Sequence, residues 1–184
     1  MNSQMDKETK GQFDRLEGED RELQMEAFSQ LTATVDEPVD WAYEVWDELL
    51  SWLTDSDNHR RSRGAQLLAG LAKSDPENRI TADFPALWAV TSDDKFVTLR
   101  HSLQSIWKVG LAGDKQRELV MNNLTERFHN PAHKHATLIR FDIISGMKEL
   151  YDATGDESVR DTALSLIDTE KDEKYRKKYA KVWK

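Results

Sequence analysis

The chain has 184 residues with 26 Lys and Arg against 34 Asp and Glu, a net charge of −8, four prolines, eight glycines and no cysteine. That length fits one domain burying ~70% of its unfolded surface without a staple, and the missing cysteines exclude a disulfide framework, a thiolate zinc site and a cysteine nucleophile. No apolar run reaches the ~18 residues of a membrane span, and the polar, acidic start from Met1 to Gly18 lacks a signal peptide's basic and apolar stretches, so a cytoplasmic protein with no membrane contact is expected.

Low proline and glycine with 33% charged residues favour a helix-rich fold. Residues 1–12 carry few large apolar side chains and are expected to be disordered; residues 13–184 read as a single helical-repeat domain. Apolar spacing predicts helices at about 18–33, 39–54, 58–73, 83–91, 95–111, 115–129, 133–152, 157–168 and 172–183. The clearest is 39–54, where Trp41, Ala42, Val45, Trp46, Leu49, Leu50 and Leu53 share one face and Asp40, Glu44, Asp47, Glu48 and Ser51 the other. Breaks fall at Asp55–Asn58, Ser74–Asn78, Ser92–Asp94, Ala112–Asp114, His129–Pro131 and Thr154–Asp156, where turn and capping residues gather. No sustained period-two alternation and no Asn-Gly or Asp-Gly hairpin signal occurs.

The helices pair at 39–73, 83–111, 115–152 and 157–183, with pair starts roughly 40 residues apart, after one N-terminal helix. A single pair cannot bury its own apolar face, so stacked neighbours are expected. We call the leading helix of a pair A and the trailing one B. Two turns carry an aspartate six residues before a B-helix arginine, Asp57 with Arg63 and Asp94 with Arg100. With Asp57–Ala72 around the first of them, this resembles a HEAT repeat. The third turn has Lys134 six before Arg140, without the acid, and the fourth has Asp172 six before Lys178. The proline HEAT A helices often carry is missing from most pairs; only Pro38 and Pro85 lie near A-helix starts. The resemblance covers about 39–184. It implies an all-α, right-handed α-α superhelix of about four hairpins plus an N-terminal helix, a ladder of turn aspartates and B-helix basic residues, and a concave B-helix side that holds a ligand, most often another protein.

Charge sorts by helix. The B helices sum to +13, and the A helices with the first helix to −11. A basic B-helix layer would attract an acidic protein segment, a nucleic-acid backbone or a phosphorylated ligand. Ladder pairs would also account for part of it as structure. The candidate binding residues are Arg60 and Arg63 on 58–73, with Gln66 and Lys73 beside them, and His101, Gln104 and Lys108 on 95–110. In the C-terminal segment they are Lys177, Lys178 and Lys181, which flank a stripe of Tyr175, Tyr179, Val182 and Trp183. Such a helix either grips a nucleic acid by charge and stacking or caps the repeat stack; capping is the expectation. His129, His133 and His135 fit no common metal spacing and read as a surface loop. Trp41, Trp46 and Trp88 read as core; Trp52 and Trp107, at stripe edges, would be contact residues if exposed.

No phosphate loop, nucleophile elbow or His-Glu-x-x-His helix is present. No catalytic residue, metal or cofactor is assigned. The expected function is a non-catalytic HEAT-like adaptor whose basic B-helix face binds a protein partner with an acidic segment. The alternative is a nucleic-acid-binding solenoid, related to the HEAT-like alkylpurine DNA glycosylases.

Overall fold

The structure, a computed structural model, describes residues 4–184. Among the described residues every element is helical: α1 Lys7–Leu16, α2 Arg21–Val35, α3 Ala42–Trp52, α4 Asn58–Leu71, α5 Arg79–Ala89, α6 Phe96–Ser105, α7 Asp114–His129, α8 Ala136–Thr154, α9 Glu157–Thr169 and α10 Glu173–Val182. Short 3-10 segments extend α4 (Ala72–Ser74), α5 (Val90–Ser92) and α6 (Ile106–Leu111).

The turns are set by aspartate. Asp6, Asp20, Asp57, Asp156 and Asp172 each accept a first-turn N–H, from Thr9, Leu23, His59, Ser158 and Tyr175. Such a cap contributes ~1 kcal/mol, and its charge suits the positive end of the helix dipole. Gly155 ends α8 at φ +67°, a left-handed conformation that other residues rarely adopt.

Two boundaries differ from the sequence reading. Residues 5–12 are not disordered: Met5 is buried, its N–H donates to the Glu44 carboxylate, and Asp6 starts α1. The side of α1 that is covered is largely polar (Thr9, Gln12), with Gln12 Nε2 donating to Gln30 Oε1 at 3.1 Å, so apolar spacing missed it. Residues 1–3 of that expected disordered start lie outside the described residues. Helix α5 begins four residues before the expected 83, which leaves Pro85 inside it. The Asp75 carboxylate accepts the N–H groups of Arg79 (2.9 Å) and Ile80 (2.8 Å) and thereby supplies the cap.

Packing follows chain order. α1 packs on α2, α3 on α4, α7 on α8 and α9 on α10; α5 meets α6 through the 3-10 turn at Val90–Ser92. There are therefore five pairs rather than four, because α2 has α1 as its partner. The even-numbered helices also touch in sequence, α2 to α4, α4 to α6, α6 to α8 and α8 to α10. Glycine permits the closest approaches. A Cβ on Gly70 of α4 would sit 2.6 Å from Val35 Cγ2, and one on Gly64 would sit 2.9 Å from Trp52 Cβ.

Hydrogen bonds between neighbouring pairs span 30 to 43 residues, from Arg140–Glu170 to Arg60–Glu17, and several fall near 40. Arg63 to Gln24, Asn58 to Thr98, Arg117 to Asp156, Trp183 to Ile144 and Tyr179 to Thr137 join residues 39, 40, 39, 39 and 42 apart. Lys108 to Asp36 spans 72, which brings the first pair against the third.

Candidate functional site

The even-numbered helices carry a groove of about 600 Å³. One wall is Lys73, at the end of α4, with Lys108 and Leu111 in the 3-10 extension of α6 and Asp36 at the end of α2. The other is Asp142, Ser145, Gly146 and Glu149 on α8, and Gln104 and Trp107 line it from the α6 side. Trp107 packs over Gly146 of α8, where a Cβ would meet the indole at 3.6 Å, an ordinary van der Waals contact.

Two charged arrangements frame the groove. Asp142, only 2% exposed, accepts Arg100 Nε at 2.8 Å, Arg100 Nη2 at 2.9 Å and Gln104 Nε2 at 3.2 Å. Lys108 Nζ lies 2.7 Å from Asp36 Oδ1, and Lys73 Nζ donates to the Asp36 carbonyl. Burial pushes the Lys73 ammonium below the usual lysine range, and the Asp36 carboxylate opposes that only in part. A second groove, about 560 Å³, shares Lys73 and is lined by Pro38, Val39, Ala42, Tyr43 and Pro76. There Tyr43 donates to Asp75, and burial with that bond pushes its hydroxyl up to about 12.

The residues singled out from the sequence do not form one stripe. Gln104 and Lys108 line the first groove. Arg60 is engaged by Glu17 and Asp55 and lies over the Trp52 ring, 5.1 Å from its centroid. Arg63 is half-buried, donates to Gln24 at 3.3 Å, and has its guanidinium pushed down by burial. His101 is exposed, with Nδ1 3.3 Å from Ser62 Oγ, itself an acceptor for Gln66 Nε2 at 3.0 Å. Lys177, Lys178 and Lys181 are exposed on α10, with Lys177 3.2 Å from Glu173 and Lys178 over the Tyr175 ring. That helix docks rather than projects: Tyr179 is buried and donates to Thr137 O at 2.9 Å, and Trp183 Nε1 donates to Ile144 O.

The expected ladder of turn aspartates and B-helix basic residues is not found at its expected pairs. The Asp57 carboxylate is used on His59 N–H, and no ion pair joins Asp57 to Arg63 among the described residues. Instead Arg61 binds Asp93 of the next pair through both oxygens, at 2.6 and 3.0 Å. Arg100 reaches Asp142 in α8, not Asp94, and Arg140 reaches Glu170 at 3.3 Å. Four basic residues of the +13 layer, Arg60, Arg61, Lys108 and Arg140, are thus paired with acids outside it, while Arg100 pairs with Asp142, which the sum already includes.

Trp52 is 3% exposed and belongs to the core, whereas Trp107 is half-buried at the groove. His133 stacks on Phe96 with ring centroids 4.9 Å apart, and the His135 ring lies tilted against it at 4.8 Å. Among the described residues no group of three His, Cys, Asp or Glu is placed to hold a metal, and no helix is long and apolar enough to cross a membrane. Sequence reasoning missed Asp36, Asp142 and Glu149 as groove residues. Lys73 stood on the expected polar stripe, but its pairing with Lys108 had no signal, since the two are 35 residues apart and meet only through the packing. No protein-family model matches this chain, and no curated protein matches it.

Proposed function

We propose that this chain is a HEAT-like helical-repeat module that binds a protein partner through its even-numbered helices, with an acidic segment of the partner seated in the first groove. What supports the repeat reading is the chain-order packing of those helices and the several hydrogen bonds that fall 39 to 42 residues apart. The binding reading rests above all on Trp107, a half-buried aromatic in a groove where Lys73 and Lys108 meet Asp36 and where Asp142 and Glu149 stand on the facing helix. Aromatic anchors next to desolvated charge are where binding energy concentrates. The lysines attract an acidic segment, and the indole gives it an apolar contact. Nucleic-acid binding gains less support on α4, α6 and α8, because phosphate contacts need free cations and Arg60, Arg61, Arg100 and Arg140 are engaged by carboxylates there, whereas Lys177, Lys178 and Lys181 of α10 stay exposed.

Hydrogen exchange of the chain with and without a glutamate-rich, leucine-containing peptide tests this. Protection is expected in α6, its 3-10 extension and α8. Trp107→Ala should weaken binding, and Arg60→Gln should leave it unchanged. Protection elsewhere would move the site. Tighter binding of labelled DNA or RNA than of the peptide, lost steeply with added salt, would replace this reading with nucleic-acid recognition.

A further inference from the structure

Charge is concentrated at the two ends of the row of even-numbered helices. Residues 1–57 sum to −12 and residues 171–184 to +5, which leaves the long stretch between them at −1. The row begins at α2, packed on α1 and α4, and ends at α10, packed on α8 and α9.

At the last end, α10 turns Tyr179 inward and leaves Lys174, Lys177, Lys178 and Lys181 exposed. Steps of three, four and seven residues put these four on one helix face. Nearby acids remove little of their charge. Glu173 holds Lys177 at 3.2 Å, Asp172 caps α10, and Glu170 is buried against Arg140. Among the described residues Lys174, Lys178 and Lys181 stand in no ion pair. On α9, Glu157 pairs with Arg160, and Asp161 and Asp168 are exposed.

At the first end, α2 exposes Glu22, Met25, Glu26 and Ser29 at the same spacing, and Glu19 lies just before it. Among the described residues Glu19, Glu22 and Glu26 stand in no ion pair. The local cations leave them in excess. Arg21 against Glu19, Asp20, Glu22 and Glu26 gives −3. Arg60 is held by Glu17 and Asp55, and Arg63, bonded to Gln24, is acted on by Asp57. Met25 is 69% exposed among these acids and Leu23 45%. Beside α2, α1 exposes Lys7, Lys10 and Arg15 with Glu8 and Asp14, so it does not oppose the acids of α9.

We propose that α10 of one copy docks on α2 of a second copy and extends the row head to tail, with Lys174, Lys178 and Lys181 facing Glu19, Glu22 and Glu26. Met25 and Leu23 give this contact its apolar part. A second copy suits α10 better than a nucleic acid does, because the net −8 of the chain repels a polyanion, whereas another copy brings unpaired acids on a helix face of matching spacing. The two patches differ, so the contact is heterologous and does not close at a dimer. Exposed charge pairs are weak singly, so the association is reversible and salt-sensitive. It uses no residue of either groove and stands apart from the partner reading.

Sedimentation equilibrium of the full chain tests this at about 0.1 M salt, where charges beyond ~10 Å are screened and the facing patches outweigh net charge. The weight-average mass should climb steadily above 21.3 kDa between micromolar and near-millimolar concentration. It should return to the monomer at about 1 M salt, where the screening length is ~3 Å. The reversals Lys174→Glu/Lys178→Glu/Lys181→Glu and Glu19→Lys/Glu22→Lys/Glu26→Lys should each remain monomeric alone. Mixed, they should associate again, since each then meets the opposite charge at both of its ends. Circular dichroism shows whether each keeps its helices. If one does not, Lys174→Gln/Lys178→Gln and Glu22→Gln/Glu26→Gln carry the test, and each should weaken association several-fold. A wild type that stays monomeric at every concentration overturns the proposal. Salt-sensitive binding of labelled DNA by that monomer, lost in the lysine variant, would assign α10 to nucleic acid instead. A mass that stops at the dimer, association that survives either reversal, or reversals that do not recover on mixing would each overturn the head-to-tail contact.

Discussion

Replacing Arg100 with Met removes the cation from a carboxylate that has almost no water. Asp142 is 2% exposed and keeps only Gln104 Nε2, at 3.2 Å, once Nε and Nη2 of Arg100 are gone. Breaking a buried ion pair costs about 3–5 kcal/mol; because Arg100 is 31% exposed and Gln104 stays, about 2–3 kcal/mol is expected here. For a chain of this size that lowers Tm by roughly 5–10 °C. Urea and thermal unfolding followed by circular dichroism give the number. The sign with pH is a stricter test. An unpaired buried carboxyl has a folded pKa raised above its unfolded value. Its protonated form then favours the native state, so the variant should recover stability as pH falls from 7 towards 5 and lose it as pH rises. Adding Asp142→Asn should restore much of the loss at pH 7, since the amide keeps an acceptor for Gln104. A single variant within about 0.5 kcal/mol of wild type would refute the argument. So would a double variant as unstable as the single one at every pH.

Four further outcomes follow from the packing. Gly70→Ala should destabilise by about 1–3 kcal/mol in urea titrations, because its Cβ would meet Val35 at 2.6 Å. Gly146→Ala should instead stabilise α8 by up to ~1 kcal/mol, since its nearest neighbour would be Trp107 at 3.6 Å, yet it should weaken peptide binding by narrowing the groove. Asp93→Asn probes acid stability: Arg61 holds the Asp93 carboxyl below the ordinary carboxylate value. Its contribution is present above the unfolded pKa of ~3.9 and fades as pH falls through the lower folded value. The gap between wild type and Asp93→Asn should close below about pH 4 in unfolding curves taken across pH. Tyr179→Phe removes a 2.9 Å bond to Thr137 O from a buried ring and should cost about 1 kcal/mol, measured by thermal unfolding.

Helices were legible in the sequence wherever apolar residues alone make the buried face. α3 and α4 begin within a few residues of the expected 39 and 58, the aspartates at 57 and 156 cap where the breaks suggested, and Asp172 caps where a helix start was expected. α1 was not legible, because its covered side holds Thr9 and Gln12 and its contacts are hydrogen bonds to Gln30 and, through Met5, to Glu44. The ladder failed for a related reason. Arg61 and Arg63 are both plausible partners for a turn acid when only spacing is visible. Arg61 reaches the Asp93 turn of the next pair, Arg63 reaches Gln24 on α2 of the preceding one, and Asp57 is already used as a cap.

The charge pattern needed the same correction, and there the error bears on function. A helix-by-helix sum treats each basic residue as a free charge, yet a guanidinium held by both oxygens of a carboxylate contributes little field at a distance. Arg61 with Asp93 and Arg100 with Asp142 are such pairs. What a partner meets is the residue of this cancellation. At the groove Lys73 and Lys108 meet Asp36, with Glu37 also acting on Lys73 and Glu149 on the facing wall, so little net charge is left and the apolar contact at Trp107 matters more. The exposed lysines of α10 are more numerous, but they flank a helix already anchored by Tyr179 and Trp183 and stand beside no groove. Charge there works by attraction across an open face, whereas at Lys73 and Lys108 it adjoins an aromatic side chain and a cavity, the combination that a seated partner segment requires.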